Sequence, residues 1–147
     1  MTIEAMATTE KTTTPKITKA NEIVAIARAA YEAYVAKNRV AIEKLIAADF
    51  RFTSPLDNRI DRATYFARCW PNSESIENFD YINLVPDGDR VFVTYEGTNT
   101  GGPRFRNTEI LTIRDGKISD VEVYFGWSIP HKADPGGYVS EQDKRSR

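Results

Sequence analysis

Apolar residues recur at helical spacing over the early part of the chain and at alternate positions over its later half. Ile23, Ile26, Ala27, Ala30, Tyr31, Tyr34 and Val35 share one face at the three-and-four spacing of a helix. Thr18 or Asn21 can cap the start of this first predicted helix. Asn38 interrupts the pattern and recaps a second helix, with Ala41, Ile42, Leu45 and Ile46 inward. Phe50 and Phe52 then alternate with Arg51 and Thr53, the mark of a short half-buried strand, which Pro55 ends. A third helix starts at the N-cap Asp61, with Ile60 placed to staple onto Tyr65. It stops at Trp70, because a residue before proline resists helical geometry, and Phe66, Cys69 and Trp70 form its buried side.

The later half reads as four strands. Glu77 to Val85 runs into the turn Pro86-Asp87-Gly88-Asp89. Val91, Val93 and Tyr95 point one way, and Phe92, Thr94 and Glu96 the other. After Gly101-Gly102-Pro103, the segments Arg104 to Arg114 and Lys117 to Trp127 pair across Asp115-Gly116, a two-residue hairpin signal. Helices and strands are segregated, so the class is α+β, with a strongly curved, mostly antiparallel sheet. Residues 1–18, rich in threonine, read as a flexible leader; 19–128 form the domain; 129–147, with three of the prolines and glycines clustered near Pro135, read as a C-terminal tail.

Composition narrows the picture by exclusion. The chain has 147 residues, 41% hydrophobic and 28% charged, enough for one domain with its own core. A net charge of -1 gives no global field toward nucleic acid or an anionic membrane, so neither is expected as a partner. A single cysteine, Cys69, forbids an internal disulfide, and the N-terminus has no secretory pattern; a cytoplasmic location is the expectation.

The arrangement resembles the nuclear-transport-factor-2-like superfamily and, within it, the SnoaL-like proteins related to ketosteroid isomerases. The resemblance runs from Asn21 to Trp127. It is carried by Tyr34-Val35-Ala36, by Leu45-Ile46-Ala47-Ala48-Asp49-Phe50, by Ser54-Pro55, and by Arg114-Asp115-Gly116-Lys117-Ile118 through Val123-Tyr124-Phe125-Gly126. It implies a cone-shaped mixed sheet wrapped by three helices, a cystatin-like α+β barrel, with one small-molecule pocket and no organic cofactor or metal. It further implies a homodimer formed through the sheet face. Ketosteroid isomerases use a carboxylate base with an oxyanion hole of tyrosine and protonated aspartate. Tyr34 matches the tyrosine and Glu109 falls near the carboxylic acid. Ser54 stands at the base position and cannot by itself take a proton from carbon, whereas Asp57 lies three residues on.

Each candidate has a functional reading and a plainer one. Asp57 is either a turn-former or a pocket acid or base; Asp61 is first an N-cap; Arg59 either holds one of these carboxylates or is solvated. Glu109 shares strand parity with Leu111 and Ile113, so it faces the apolar interior unless the register slips by one. An inward carboxyl must pair or hold a proton. Tyr34 and Tyr95 are core tyrosines or oxyanion donors. Ser54, Arg59, Phe66, Trp70, Tyr95, Leu111, Val123 and Phe125 are the expected pocket walls, or, Arg59 apart, simply core. His131 lies in the tail and is a poor base, and no metal-ligand spacing occurs.

Three functions follow. The first is a cofactor-free isomerase, lyase or cyclase, or epoxide hydrolase acting by acid-base chemistry on a small apolar carbonyl or epoxide compound. There Asp57 acts as base or orients water, and Tyr34 and Glu109 stabilise an oxyanion. The second is a non-catalytic ligand-binding or dimerisation module whose cavity Trp70 and Phe125 fill. The third is an interaction surface on the outer sheet face, displaying Phe92, Thr94, Glu122 and Tyr124.

Overall fold

A computed structural model describes the backbone of residues 2–141 and the side chains of residues 18–141. Among these, three α-helices precede most of a six-stranded sheet of order β2-β1-β6-β5-β4-β3. Helix α1 (Thr2–Ala36) and helix α2 (Arg39–Leu45) meet at a sharp junction. Lys37 takes φ 56°, so the Asn38 amide can donate to Ala33 O at 2.8 Å and the Lys37 amide to Tyr34 O at 3.1 Å. This pair of bonds closes the helix by the left-handed route. Asn38 then caps α2, its Oδ1 accepting from the Ala41 amide at 3.0 Å.

Strands β1 (Ile46–Ser54) and β2 (Asp57–Asp61) form an antiparallel pair, and β1 lies parallel to β6 (Lys117–Ile129). Helix α3 (Arg62–Arg68) and a 3-10 segment at Trp70–Ser75 lead into β3 (Ile76–Asp87), β4 (Arg90–Asn99) and β5 (Arg104–Arg114). The β5–β6 turn has positive φ at both Asp115 (51°) and Gly116 (75°), the backbone a two-residue hairpin requires. Register shifts in four of the strand pairings bend the sheet, and the helices pack in the resulting concavity. Inward side chains alternate as the sequence predicts. Val91, Val93 and Tyr95 are buried on β4, and Leu111 and Ile113 on β5.

The fold is the expected α+β cone with a mixed sheet, and the structure alters its details. The sheet does not close into a barrel: β2 and β3 are its open edges. The Asp57–Asp61 segment, expected as a polar turn, is a strand, because β1 offers it an edge to pair with. Ile46 belongs to β1, and β6 runs on to Ile129 instead of ending at Trp127. Neither Thr18 nor Asn21 caps α1, whose backbone is helical from Thr2; adding residues to an existing helix costs far less than starting one. The side chains of the expected leader lie outside the described residues, as do residues 142–147 of the expected tail.

Candidate functional site

The concave face of the sheet and the underside of α1 and α3 enclose a cavity of about 580 Å³, within the size range of small-molecule sites. Its wall is largely apolar and aromatic, with Phe50, Phe79, Phe105 and Leu111 among its members. Two carboxyl groups face it from opposite environments.

Glu109 stands mid-β5, between Asn107 and Leu111 on the inward parity. Protein surrounds its carboxyl, and what surface it keeps opens to the cavity. Burial pushes its pKa up, and this outweighs the lowering effect of the Tyr95 and Tyr31 hydroxyls. Tyr95 donates to Glu109 Oε2 at 2.5 Å and receives a hydrogen bond from Asn107 Nδ2 at 3.2 Å. Asn107 Oδ1 in turn accepts from the Gly126 amide at 3.2 Å. The Tyr31 hydroxyl is buried and makes no well-formed hydrogen bond. Beside this group, the Tyr34 and Tyr65 hydroxyls share a very short hydrogen bond. Burial raises the pKa of all four tyrosines, so each is a neutral phenol at ordinary pH.

Asp57 opens β2 at the rim. Only 8% of its side chain reaches solvent, because Ser54 and Arg68 cover it. Ser54 Oγ donates to Asp57 Oδ2 at 2.8 Å, and Arg68 Nε donates to Oδ1 in a close ion pair. Desolvation pushes this carboxyl up, yet the two hydrogen bonds and the Arg68 charge together hold its pKa below the ordinary value. Ser54 Oγ also accepts from the Leu56 amide at 3.0 Å, so the serine fixes the turn and Asp57 faces the cavity. Cys69 is buried next to this pair, and burial raises its thiol to about 11, an inert group at neutral pH.

The structure gathers Tyr34, Ser54, Asp57, Tyr95, Glu109, Leu111, Val123 and Phe125 around one cavity. Three expected wall residues lie elsewhere. Arg59, at φ 48° on β2, is exposed, and its charge acts on Asp120 instead of Asp57 or Asp61. Phe66 packs under the guanidinium groups of Arg39 and Arg62. Trp70 meets Tyr34 edge-on at 4.9 Å from behind, so it supports the wall without filling the space. Phe125 stands at the rim, half exposed. Asp61 is the N-cap of α3, its Oδ1 accepting from the Thr64 amide at 2.9 Å.

Sequence reasoning missed Tyr31, Tyr65, Arg68 and Asn107 as site residues. Tyr31 sits one turn before Tyr34, and Asn107 has the strand parity of Glu109, so both carried a usable signal. Tyr65 and Arg68, three apart on α3, had none that distinguished pocket from core. Among the described residues no cluster of three or more His, Cys, Asp or Glu is disposed to hold a metal ion.

Comparison with known proteins agrees with this architecture. A profile of the SnoaL-like domain matches residues 27–121. The chain belongs to the SnoaL-like domain family. None of the curated proteins matches it significantly. Solved structures similar to it include a putative ketosteroid isomerase from Kribbella flavida, at 21% identity and TM-score 0.61, covering 73% of this chain and 79% of that one. An LEH-like epoxide hydrolase of M. tuberculosis aligns at 16% identity and TM-score 0.62, covering 73% and 84%. A de novo designed protein with a curved β-sheet aligns at 16% identity and TM-score 0.64, covering 72% and 86%. At these identities the likeness is one of fold. The designed protein shows that such a sheet forms without an evolved function, so function must be argued from the site.

Proposed function

We propose that this SnoaL-like protein binds a small, largely apolar organic molecule and acts on it as a cofactor-independent isomerase, lyase or cyclase, or epoxide hydrolase. The observation that carries this reading is Glu109: a carboxyl group enclosed by protein, raised in pKa, and facing an apolar cavity lined by neutral phenols. A raised pKa lets the carboxyl hold its proton to higher pH than an exposed glutamate, and in that form it donates a hydrogen bond or a proton to a carbonyl or epoxide oxygen as negative charge develops there. The Tyr34 and Tyr65 hydroxyls flank the same space, and because one of their two protons lies in the bond between them, the pair supplies one further donor. Asp57 stays ionised, and its pairing with Arg68 makes it a weak base for a carbon-bound proton. Its better role is to orient a water molecule or a polar end of the ligand at the rim. The homodimer through the outer sheet face belongs to the same reading, supported by the exposed Tyr124 on β6.

A second reading rests on the engagement of Asp57 itself. With Ser54 and Arg68 holding both its oxygens, the cavity offers no free carboxylate base, as suits a non-catalytic ligand-binding or dimerisation module.

A thermal-shift screen separates the two. Cyclic ketones, phenols, epoxides and polyketide-like acids are tested against the wild type and Glu109→Gln. A ligand that binds the native state raises its melting temperature with occupancy. The catalytic reading expects a shift with one chemical class, and turnover of that class that Glu109→Gln slows by about 10²-fold or more. A shift without turnover supports the binding module. A Glu109 that titrates in the ordinary carboxylate range overturns the catalytic reading.

A further inference from the structure

Asn107 lies next to the acid without a hydrogen bond to it, and the hydrogen bonds it does make have a fixed direction. The Gly126 amide can only donate, so the atom of Asn107 facing it at 3.2 Å must be the carbonyl Oδ1. The Nδ2 group therefore faces Tyr95 and donates to its oxygen at 3.2 Å. A phenol has one proton, and with its oxygen engaged by Asn107 that proton goes to Glu109 Oε2, at 2.5 Å. The sense of the whole relay is thus set by a backbone N–H on β6.

Gly126 is placed for this by close contact: a Cβ there would lie 2.1 Å from the carbonyl oxygen of Arg106, on the neighbouring strand. Only glycine fits, and the strand pairing shifts register between Phe105 and Asn107 at the same point. The irregularity lets Asn107 span β5 and β6 and reach back to Tyr95 on β4.

We infer that Asn107 is a positioning residue that holds Tyr95 as an obligate donor to Glu109 and so directs the Glu109 proton to Oε1. An oxygen that already accepts from Tyr95 is the poorer place for the acidic proton, which leaves Oε1 as the donor to a ligand. Without Asn107, the Tyr95 hydroxyl proton is free to rotate while the buried ring stays in place, the hydroxyl steadies the carboxylate form less, and the acid weakens. This inference rests on the assignment of Glu109 as the acid of the site. It adds that the strength and direction of that acid are set from β6, through a residue that makes no hydrogen bond to it.

The test is a titration of Glu109, followed by the carboxyl carbon resonance, in wild type, Tyr95→Phe, Asn107→Leu and the double variant. Tyr95→Phe should raise the Glu109 midpoint by about one pH unit, the scale of one lost hydrogen bond. Asn107→Leu should raise it in the same direction, and in the Tyr95→Phe background it should add nothing further. An Asn107→Leu shift that persists undiminished without the Tyr95 hydroxyl overturns the relay, and so does no shift at all in the wild-type background. Wild-type protein gives an independent measure if a variant fails to fold. The Asn107 side-chain amide resonances must move with the Glu109 midpoint, and amide resonances indifferent to that titration overturn the inference. A wild-type Glu109 with an ordinary midpoint would instead defeat the functional reading beneath it, so the two failures are distinguishable.

Discussion

Glu109 and Asp57 are both carboxyl groups on strands facing one cavity, and the protein drives them in opposite directions. Glu109 is deep in the cone, where its partners are phenols that stabilise a carboxylate only weakly, and desolvation dominates. Asp57 is at the rim, where a half-exposed guanidinium and a serine hydroxyl more than offset its desolvation. The outcome is a carboxyl inside that holds its proton more tightly than usual and one at the entrance that gives it up more readily. The distinction depends on which residues accompany each acid, not on the acids. Pairs of titratable groups pushed apart in this way are a signature of acid-base sites.

The strongest way to break the comparison is to collapse the inner end alone. Phe50 is 1% exposed and packs edge-on to Tyr65. Phe50→Ala should cost about 3–5 kcal/mol of stability by denaturant unfolding. It should also disturb the titration of Glu109 while that of Asp57 stays as it was.

Next in size is the acid itself. The folded pKa of Glu109 lies above its unfolded value, so its contribution to stability is complete below the ordinary carboxylate range. It is lost as pH rises through the raised folded value. Gln mimics the protonated form and removes this loss. Urea midpoints should therefore match at low pH, with Glu109→Gln the more stable protein at alkaline pH.

Asp57 has the reverse sign: its contribution is present above the ordinary aspartate pKa and fades as pH falls through the lowered folded one. A remote control gives a smaller effect than these. Asn38→Ala removes the cap of α2 and should cost about 1 kcal/mol in the same unfolding assay, with both carboxyl titrations unchanged. The smallest expected change is the sharpest: Arg68→Met should let the Asp57 midpoint climb toward or past the ordinary aspartate value and leave Glu109 alone. A movement of Glu109 in that variant would mean the two ends are coupled, and the contrast would fail.

Much of the architecture was legible because local signals agreed with one another. The Asp115-Gly116 hairpin, the caps Asn38 and Asp61, and the strand parity of Val91, Val93 and Tyr95 depend on neighbours a few residues away. Strand parity also brought Glu109 inward with Leu111 and Ile113. The missed strand Asp57–Asp61 shows where such reasoning fails: nothing in its composition announces a strand until β1 supplies the edge. Arg59 shows it again, since two candidate carboxylates flank it in sequence but a left-handed backbone turns it outward, and Arg68 takes Asp57 instead.

The sequence by itself determined the segregated helices and strands, the curved sheet and the inward place of Glu109, because periodicity and turn chemistry are properties of short stretches. Only the tertiary structure decided how each acid behaves. A pKa depends on depth and on partners from other segments: Arg68 from α3 for Asp57, and Tyr95 from β4 for Glu109, with Gly126 from β6 behind Asn107. Asn107 shares the strand parity of Glu109, but the fold brings the others to it, and no local pattern encodes them.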